Sequence, residues 1–248
     1  MAANNENQIG PWYSVFGFYN SPFNIKPAYF NYGLVGYDSI INELTHKIRA
    51  GSMVFIEGPL GSGKTSILKY ISYKLRKEKE IIFFSCNQLD KQIDIASLLH
   101  SRPWSFRKLF GLKPKAMALL LDEVQELSEE NMERIKYFFD HDHIKSVVFA
   151  GIDYNNTNFS PSIKERIGNN VIKIPVLSFD NAVKLIRNRI GNWSLLSNEI
   201  IEELHILSNY NPRRLLHSCD EVCRQIVISG RNVAKREDVK KIKFKYWL

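Results

Sequence analysis

Gly58-Pro59-Leu60-Gly61-Ser62-Gly63-Lys64-Thr65 decides how the rest of the chain is read. The eight residues match G-x-x-x-x-G-K-[ST] in full, and chemistry explains the spacing. Glycines let successive backbone N–H groups turn inward around phosphate oxygens, and the helix that follows adds the positive end of its dipole. At this spacing Lys64 reaches the β- and γ-phosphates of a nucleoside triphosphate, and the Thr65 hydroxyl ligates Mg²⁺. Gly58, Gly61, Ser62, Gly63, Lys64, Thr65 and Ser66 are therefore the expected ATP contacts. A flexible glycine turn with a chance lysine is the bland alternative. It is disfavoured by an apolar strand before the turn, Met53–Glu57, and by a helix after it, Lys64 to about Lys77, with Ile67, Leu68 and Ile71 on one face.

A second motif supports the first. In Leu119-Leu120-Leu121-Asp122-Glu123 an apolar strand delivers two carboxylates at its C-terminal end, where the ligands of parallel sheets bind. Asp122 is expected to hold Mg²⁺, and Glu123 to orient and polarise the water that attacks the γ-phosphate, with Glu126 the nearest alternative carboxylate. Such pairs also cap helices, so the motif draws its force from its partner.

Working outward, Asp38 is expected to cap a helix with Ile40, Ile41, Leu44 and Ile48 inward. Further strands read at Ile81–Ser85, Met117–Leu121, Ser146–Ala150 and Val171–Ile174. Helices read from a Ser128 cap to about Phe139 and from Pro161 through Arg166. Strands alternating with helices predict an α/β fold, a parallel sheet with crossover helices. Everything after Ser178 reads helical: Asp180–Arg189, Ser197–Leu207, Pro212–Ile228 and Arg236–Lys243. The expected organisation is a polar tail and aromatic strap over 1–35, an α/β domain over 36–175 and a small α-helical lid domain over 176–248.

Composition excludes several classes. Hydrophobic residues at 44% and charged residues at 24% describe a globular chain, not a disordered one. No apolar run approaches the ~18–20 residues of a membrane span. MAANNENQIG has neither the basic nor the apolar region of a secretory signal. Three cysteines suit a reducing, cytoplasmic compartment, and Cys219 and Cys223 read as a packed pair, not a metal site. The net charge of +8 is concentrated: Lys91–Lys115 carries +5 and Arg231–Lys245 another +5, so the remainder sums to −2. Two basic windows on a near-neutral body suggest a polyanionic partner, although single charge runs are usually solvated faces.

Together these residues resemble the AAA+ ATPases, in the branch that holds origin-recognition initiators, transposition-regulator ATPases and secretion-pathway ATPases of the A type. The resemblance runs from about Phe16 to Lys243. Phe16-Gly17-Phe18, Ser21-Pro22-Phe23 and Pro27, followed by Leu34-Val35-Gly36, look like the family's leading segment, in which Val35 and Gly36 line the adenine pocket. Ser146–Gly151 and the polar residues after it look like the strand whose side chain senses the γ-phosphate; Asp153 is the first choice and Asn155 the second. Ile163-Lys164-Glu165-Arg166-Ile167 resembles the segment with the arginine finger, which completes a neighbouring subunit's site; a surface arginine is the alternative. Asn211-Pro212-Arg213-Arg214-Leu215-Leu216 resembles the motif that opens the third lid helix. Arg213 takes the nucleotide-contacting position, Arg214 is a candidate structural ion pair, and Tyr210 stands where many relatives have Gly. The resemblance thus implies ATP and Mg²⁺ as cofactors, ATP hydrolysis, and a homo-oligomer in which Arg166 acts in trans.

The client is less determined. Initiators and transposition regulators carry an extra helix between the second strand and the aspartate-bearing strand and use it on DNA. Here Asn87–Lys115 contains Arg102, Trp104, Phe106, Arg107, Lys108, Phe110, Lys113 and Lys115. Cations can neutralise phosphates and aromatics can stack on bases, or the aromatics can be the core of an ordinary helix. The family's winged-helix reader is not seen, so DNA binding without sequence reading is expected. The alternatives are a protein-directed switch with an acidic protein partner and a nucleotide-gated scaffold with negligible turnover.

Overall fold

The computed structural model describes residues 11–26, 34–86, 117–191 and 193–242. Five strands, β1 (Met53–Glu57), β2 (Glu80–Ser85), β3 (Met117–Asp122), β4 (Ser146–Gly151) and β5 (Val171–Lys173), form one parallel sheet in the order β2-β3-β4-β1-β5. The order explains the composition of the strands. β3 and β4 are interior strands covered on both faces, and every residue of each is buried, so they read as continuous apolar runs instead of alternating ones. Helix α1 (Asp38–Ala50) leads into β1, and α2 (Lys64–Leu75), α3 (Glu129–Asp140) and α4 (Pro161–Ile167) connect strands of the sheet. Asp38, expected as the cap of α1, is instead its first residue. Ser128 caps α3 by accepting from the backbone N–H three residues on, as the sequence pattern predicts, and Ser160 caps α4 in the same way. The helix after the glycine turn ends at Leu75, two residues short of the expected Lys77, because the run Arg76-Lys77-Glu78-Lys79 offers no apolar residue to hold another turn on the sheet. This is an α/β fold followed by helices.

The chain divides into two compact units, Tyr37–Pro175 and the residues before and after it. The second of these is helical: α5 (Phe179–Ile190), α6 (Asn198–Leu207), α7 (Pro212–Ile228) and α8 (Arg236–Lys240). The expected final helix reaches only Lys240. Its core includes a contribution that the expected division set apart. A 3-10 helix, Trp12–Phe16, and Phe23 bury their rings among Leu177, Ile186, Ile201, Leu215 and Val222, so the aromatic strap is part of the helical core. Polar bonds seat it: Asp220 Oδ1 accepts from Trp12 Nε1 at 3.1 Å and from Ser21 Oγ at 2.5 Å, while Arg189 donates to the carbonyls of Pro22 and Asn24. Cys219 and Cys223 are buried in the same core, where burial pushes both thiols up, the behaviour of packing residues. Among the described residues no helix is long and apolar enough to cross a membrane.

The strap's seating is testable. Phe23 is only 2% exposed. Phe23→Ala should cost about 3–5 kcal/mol of stability in urea denaturation through the lost transfer energy and the cavity left behind. Hydrogen exchange should locate the loss in α5 and α7, with β3 and β4 protected as before.

Candidate active site

The sheet register places the site. At the C-terminal edge, Glu57 of β1 pairs with Gly151 of β4, Ala150 of β4 with Asp122 of β3, and Asp122 with Ser85 of β2. The glycine turn leaves the sheet immediately after Glu57. Asp122 therefore arrives two strands away from it, at the same edge.

The turn itself is built by close approaches. Lys64 is 4% exposed, and its ammonium donates to the Gly58 carbonyl at 2.7 Å and the Pro59 carbonyl at 3.1 Å. Its charge is thus held against the concave face of the loop by weak, exchangeable acceptors. A Cβ at Gly58 would lie 2.7 Å from Ser62 Oγ, so glycine there is a matter of space. Gly63 needs glycine twice: its φ is +99°, and a Cβ would lie 2.8 Å from the Tyr37 hydroxyl. That hydroxyl donates to the Ser62 carbonyl at 2.7 Å. Gly61 also has a left-handed φ, and Ser66 follows on the first turn of α2, half-buried.

α2 begins at Lys64, and Thr65 Oγ1 donates to Asp122 Oδ2 at 2.6 Å. The two expected metal ligands therefore meet. Asp122 is 2% exposed, and burial pushes its carboxyl above the ordinary carboxylate range, against the Thr65 bond and the Lys64 charge. At this site two buried side-chain atoms, Asp122 Oδ1 and Ser62 Oγ, have no hydrogen-bond partner among the described residues. A buried carboxylate oxygen without a donor, beside a hydroxyl whose proton is committed, is a hard oxygen pair suited to Mg²⁺. The donor set fits the cation. Cys86, at the end of β2, is pushed up to about 12 by burial and by the acids around it, so it stays a neutral thiol.

Glu123 follows in a strained conformation. Its φ is +57°, which costs a side-chain-bearing residue roughly 1–2 kcal/mol. It stands between the buried strand β3 and the short 3-10 turn Val124–Glu126. Strain of this kind gathers at functional positions. Its carboxylate, half-exposed, accepts from Gln125 Nε2 at 2.6 Å.

The other expected residues take varied places. Asp153 accepts from the backbone N–H of Asn155 at 2.8 Å and from the Asn156 amide at 2.8 Å, so its carboxylate organises a turn, and Asn155 stands exposed on that turn. Arg166 is forked onto Asp140, with Nε to Oδ1 at 2.6 Å and Nη2 to Oδ2 at 2.7 Å, and also donates to the Ser162 carbonyl. In the helical unit, Gly36 has a φ of +83° and packs against the Asn181 side chain, with Val35 half-buried before it. Arg213 is exposed on the first turn of α7, whose cap is Asn211. Tyr210 has a φ of +58°, which accounts for the glycine expected at its position.

The basic windows fare differently. Arg102, Trp104, Arg107, Lys108, Lys113 and Lys115 lie outside the described residues. In the second window Arg231 is forked onto Asp238 at 2.6 and 2.8 Å and Arg236 pairs with Glu203 at 2.8 Å, leaving fewer cations for a partner than the count suggests. Two site neighbours had no signal in the sequence: Tyr37, which no motif marks, and Asp140, which only the packing of α3 on α4 brings to Arg166.

Known proteins share parts of this sequence and this fold. The DNA repair protein RadA of Aquifex aeolicus is 24% identical over 184 residues, 63% of this chain and 41% of that protein. The chain therefore spans well under half the length of that relative. Among solved structures, Aeropyrum pernix ORC1 in complex with DNA has a TM-score of 0.69 at 15% identity, covering 89% of this chain and 68% of that one. Cdc6p of Pyrobaculum aerophilum has 0.67 at 14%, covering 92% and 72%, and a variant of Thermotoga maritima RuvB has 0.65 at 18%, covering 84% and 68%. These likenesses concern the fold. The match to the AAA domain family spans residues 50–183, from the strand before the glycine turn to the helix after the sheet, and on that match, over more than half its length, the chain belongs to the AAA domain family.

Proposed function

We propose that the chain binds ATP with Mg²⁺, hydrolyses it, and acts in an assembly on DNA. The observation that carries the first part is the convergence of Lys64, Thr65 and Asp122, with one buried oxygen of Asp122 lacking a donor, at the mouth of a glycine turn. On ATP binding, Lys64 exchanges the Gly58 and Pro59 carbonyls for phosphate oxygens, which are charged and bind it more strongly. Backbone N–H groups of the glycine turn, among them that of Gly63, and those that open α2, with Ser66, hold the phosphate chain. Thr65 and Asp122 hold the cation. Bound there, Mg²⁺ supplies charge that offsets the negative charge of the β- and γ-phosphates. Glu123 accepts a hydrogen bond, and then a proton, from the attacking water; the new P–O bond forms as the bond to the ADP oxygen breaks, and the proton passes on to the released phosphate or to solvent. Of the γ-phosphate-sensing pair, Asn155 carries the donor, since Asp153 is an acceptor already committed to its turn. The family resemblance adds Val35 and Gly36 for the adenine ring and Arg213 for a phosphate.

Arg166 is the proposed group acting in trans. In the isolated chain its guanidinium is neutralised by Asp140, so delivery to another subunit's phosphate means giving up that fork. The DNA reading rests on the two basic windows and on the company of the fold, since two similar structures, A. pernix ORC1 and Drosophila ORC, hold DNA. The initiator-like or transposition-regulator-like branch is the reading these favour.

Two variants separate binding from turnover. Lys64→Ala should abolish ATP binding in calorimetry, whereas Glu123→Gln should bind ATP with near-normal affinity and hydrolyse it at least about a hundredfold more slowly. Near-normal binding by Lys64→Ala refutes the phosphate-loop assignment, and unchanged turnover in Glu123→Gln moves the base elsewhere, first to Glu126.

For Arg166 the decisive measurement is complementation. Arg166→Ala should bind ATP and turn it over poorly, and mixing it with Lys64→Ala, which keeps its arginine, should restore partial activity. Mixtures that co-assemble without recovering activity would leave Arg166 a structural partner of Asp140.

DNA binding should be read against salt. With three or four phosphate contacts, affinity should fall with roughly the third power of salt concentration. Arg107→Glu with Lys108→Glu should weaken binding on every sequence and flatten that slope without changing basal ATP hydrolysis. Absence of DNA retention in the presence of ATP would favour an acidic protein partner instead.

A further inference from the structure

Tyr37 lies one residue before α1 and belongs to none of the motifs, yet its hydroxyl ends inside the glycine turn. It is 8% exposed and donates to the Ser62 carbonyl at 2.7 Å. The peptide that follows this carbonyl is planar and trans, so its C=O and its N–H, which belongs to Gly63, point in opposite directions. Fixing one fixes the other. The neighbouring peptides are committed to the fold: Ser62 N–H donates to the Pro59 carbonyl and the Gly63 carbonyl accepts from Ile67 N–H. Among the described residues, Gly63 N–H itself meets no acceptor. The turn therefore holds one backbone donor turned away from Tyr37, in an orientation that Tyr37 sets.

We infer that Tyr37 is a positioning residue for nucleotide binding, its hydroxyl holding the Ser62–Gly63 peptide so that Gly63 N–H faces the phosphates. The inference rests on the reading of this turn as the phosphate site. Without the hydroxyl, the peptide can rotate to seek another donor for the Ser62 carbonyl, and a left-handed glycine resists such rotation less than any other residue. The space is matched as well, since a Cβ at Gly63 would lie 3.1 Å from Tyr37 Cζ as well as against its oxygen. Burial pushes the Tyr37 phenol up to about 12, so it remains a neutral donor throughout the physiological range.

Tyr37→Phe isolates the hydroxyl, because the ring keeps its packing. ADP affinity is measured by calorimetry on the full chain, well below its melting temperature, with the melting temperature of the nucleotide-free protein recorded alongside. The expected result is a roughly five- to tenfold weaker ADP affinity, the worth of about one hydrogen bond, and an ATP KM raised by the same factor with kcat within twofold. Unchanged affinity and KM, even with a lowered melting temperature, would overturn the inference and leave Tyr37 a packing residue. Lys64→Ala, measured in parallel, separates the two levels. Lost binding there with unchanged affinity in Tyr37→Phe removes only the role of Tyr37. Retained binding there removes the phosphate-site reading and the role of Tyr37 with it.

Discussion

The hydrogen bond from Thr65 to Asp122 joins the first turn of α2 to the end of β3 across a strand that belongs to neither, since β4 lies between β3 and β1. It can form only if β1, β4 and β3 end in register, and the pairings of Glu57 with Gly151 and of Asp122 with Ala150 provide that. The bond also bears on charge. A carboxylate this deeply buried would favour its neutral form, and the Thr65 donor and the Lys64 ammonium work against that burial. A bound cation would complete the same compensation, and the proposal that the pair is a metal site rests on this.

The chain accepts local strain in each of its two units. Glu123 takes a left-handed conformation so that the backbone can turn directly off a buried strand, and Tyr210 does the same before α7. Each departs from relaxed geometry at the residue next to a proposed nucleotide group: Asp122 in one case, the Asn211–Arg213 cap in the other. The fork between Arg166 and Asp140 has a similar character. It neutralises a cation at little cost while leaving both partners about a third exposed, so the fork is open to exchange.

Local rules made much of this legible in advance. The glycine turn, the strands β1, β3 and β4 and the serine cap of α3 follow from spacing and periodicity over short stretches, and the structure places them within a residue or two of those positions. The order β2-β3-β4-β1-β5 was not written in any single segment, because it depends on which strands pair after the chain has crossed the sheet. Long-range contacts were equally silent. Trp12 finds Asp220 at 208 positions' distance, and no pattern in the strap announces it. Tyr37 escaped for a different reason: its role lies in the direction of a single peptide, which sequence spacing does not encode. Lys64, Thr65 and Asp122, named from the motifs, come together in the structure, whereas Asp153, named by resemblance, accepts hydrogen bonds within its own turn.

The account stands or falls on the coupling of Asp122 to a cation at the glycine turn. Its most direct test is a calorimetric comparison of ATP binding with Mg²⁺ and with chelator, in the native chain and in Asp122→Asn. The account predicts that Mg²⁺ tightens ATP binding to the native chain by at least about tenfold, a coupling of ~1.4 kcal/mol, and that Asp122→Asn removes the tightening while leaving metal-free affinity within about twofold. Equal affinities with and without Mg²⁺ in the native chain, or full tightening in Asp122→Asn, would contradict it.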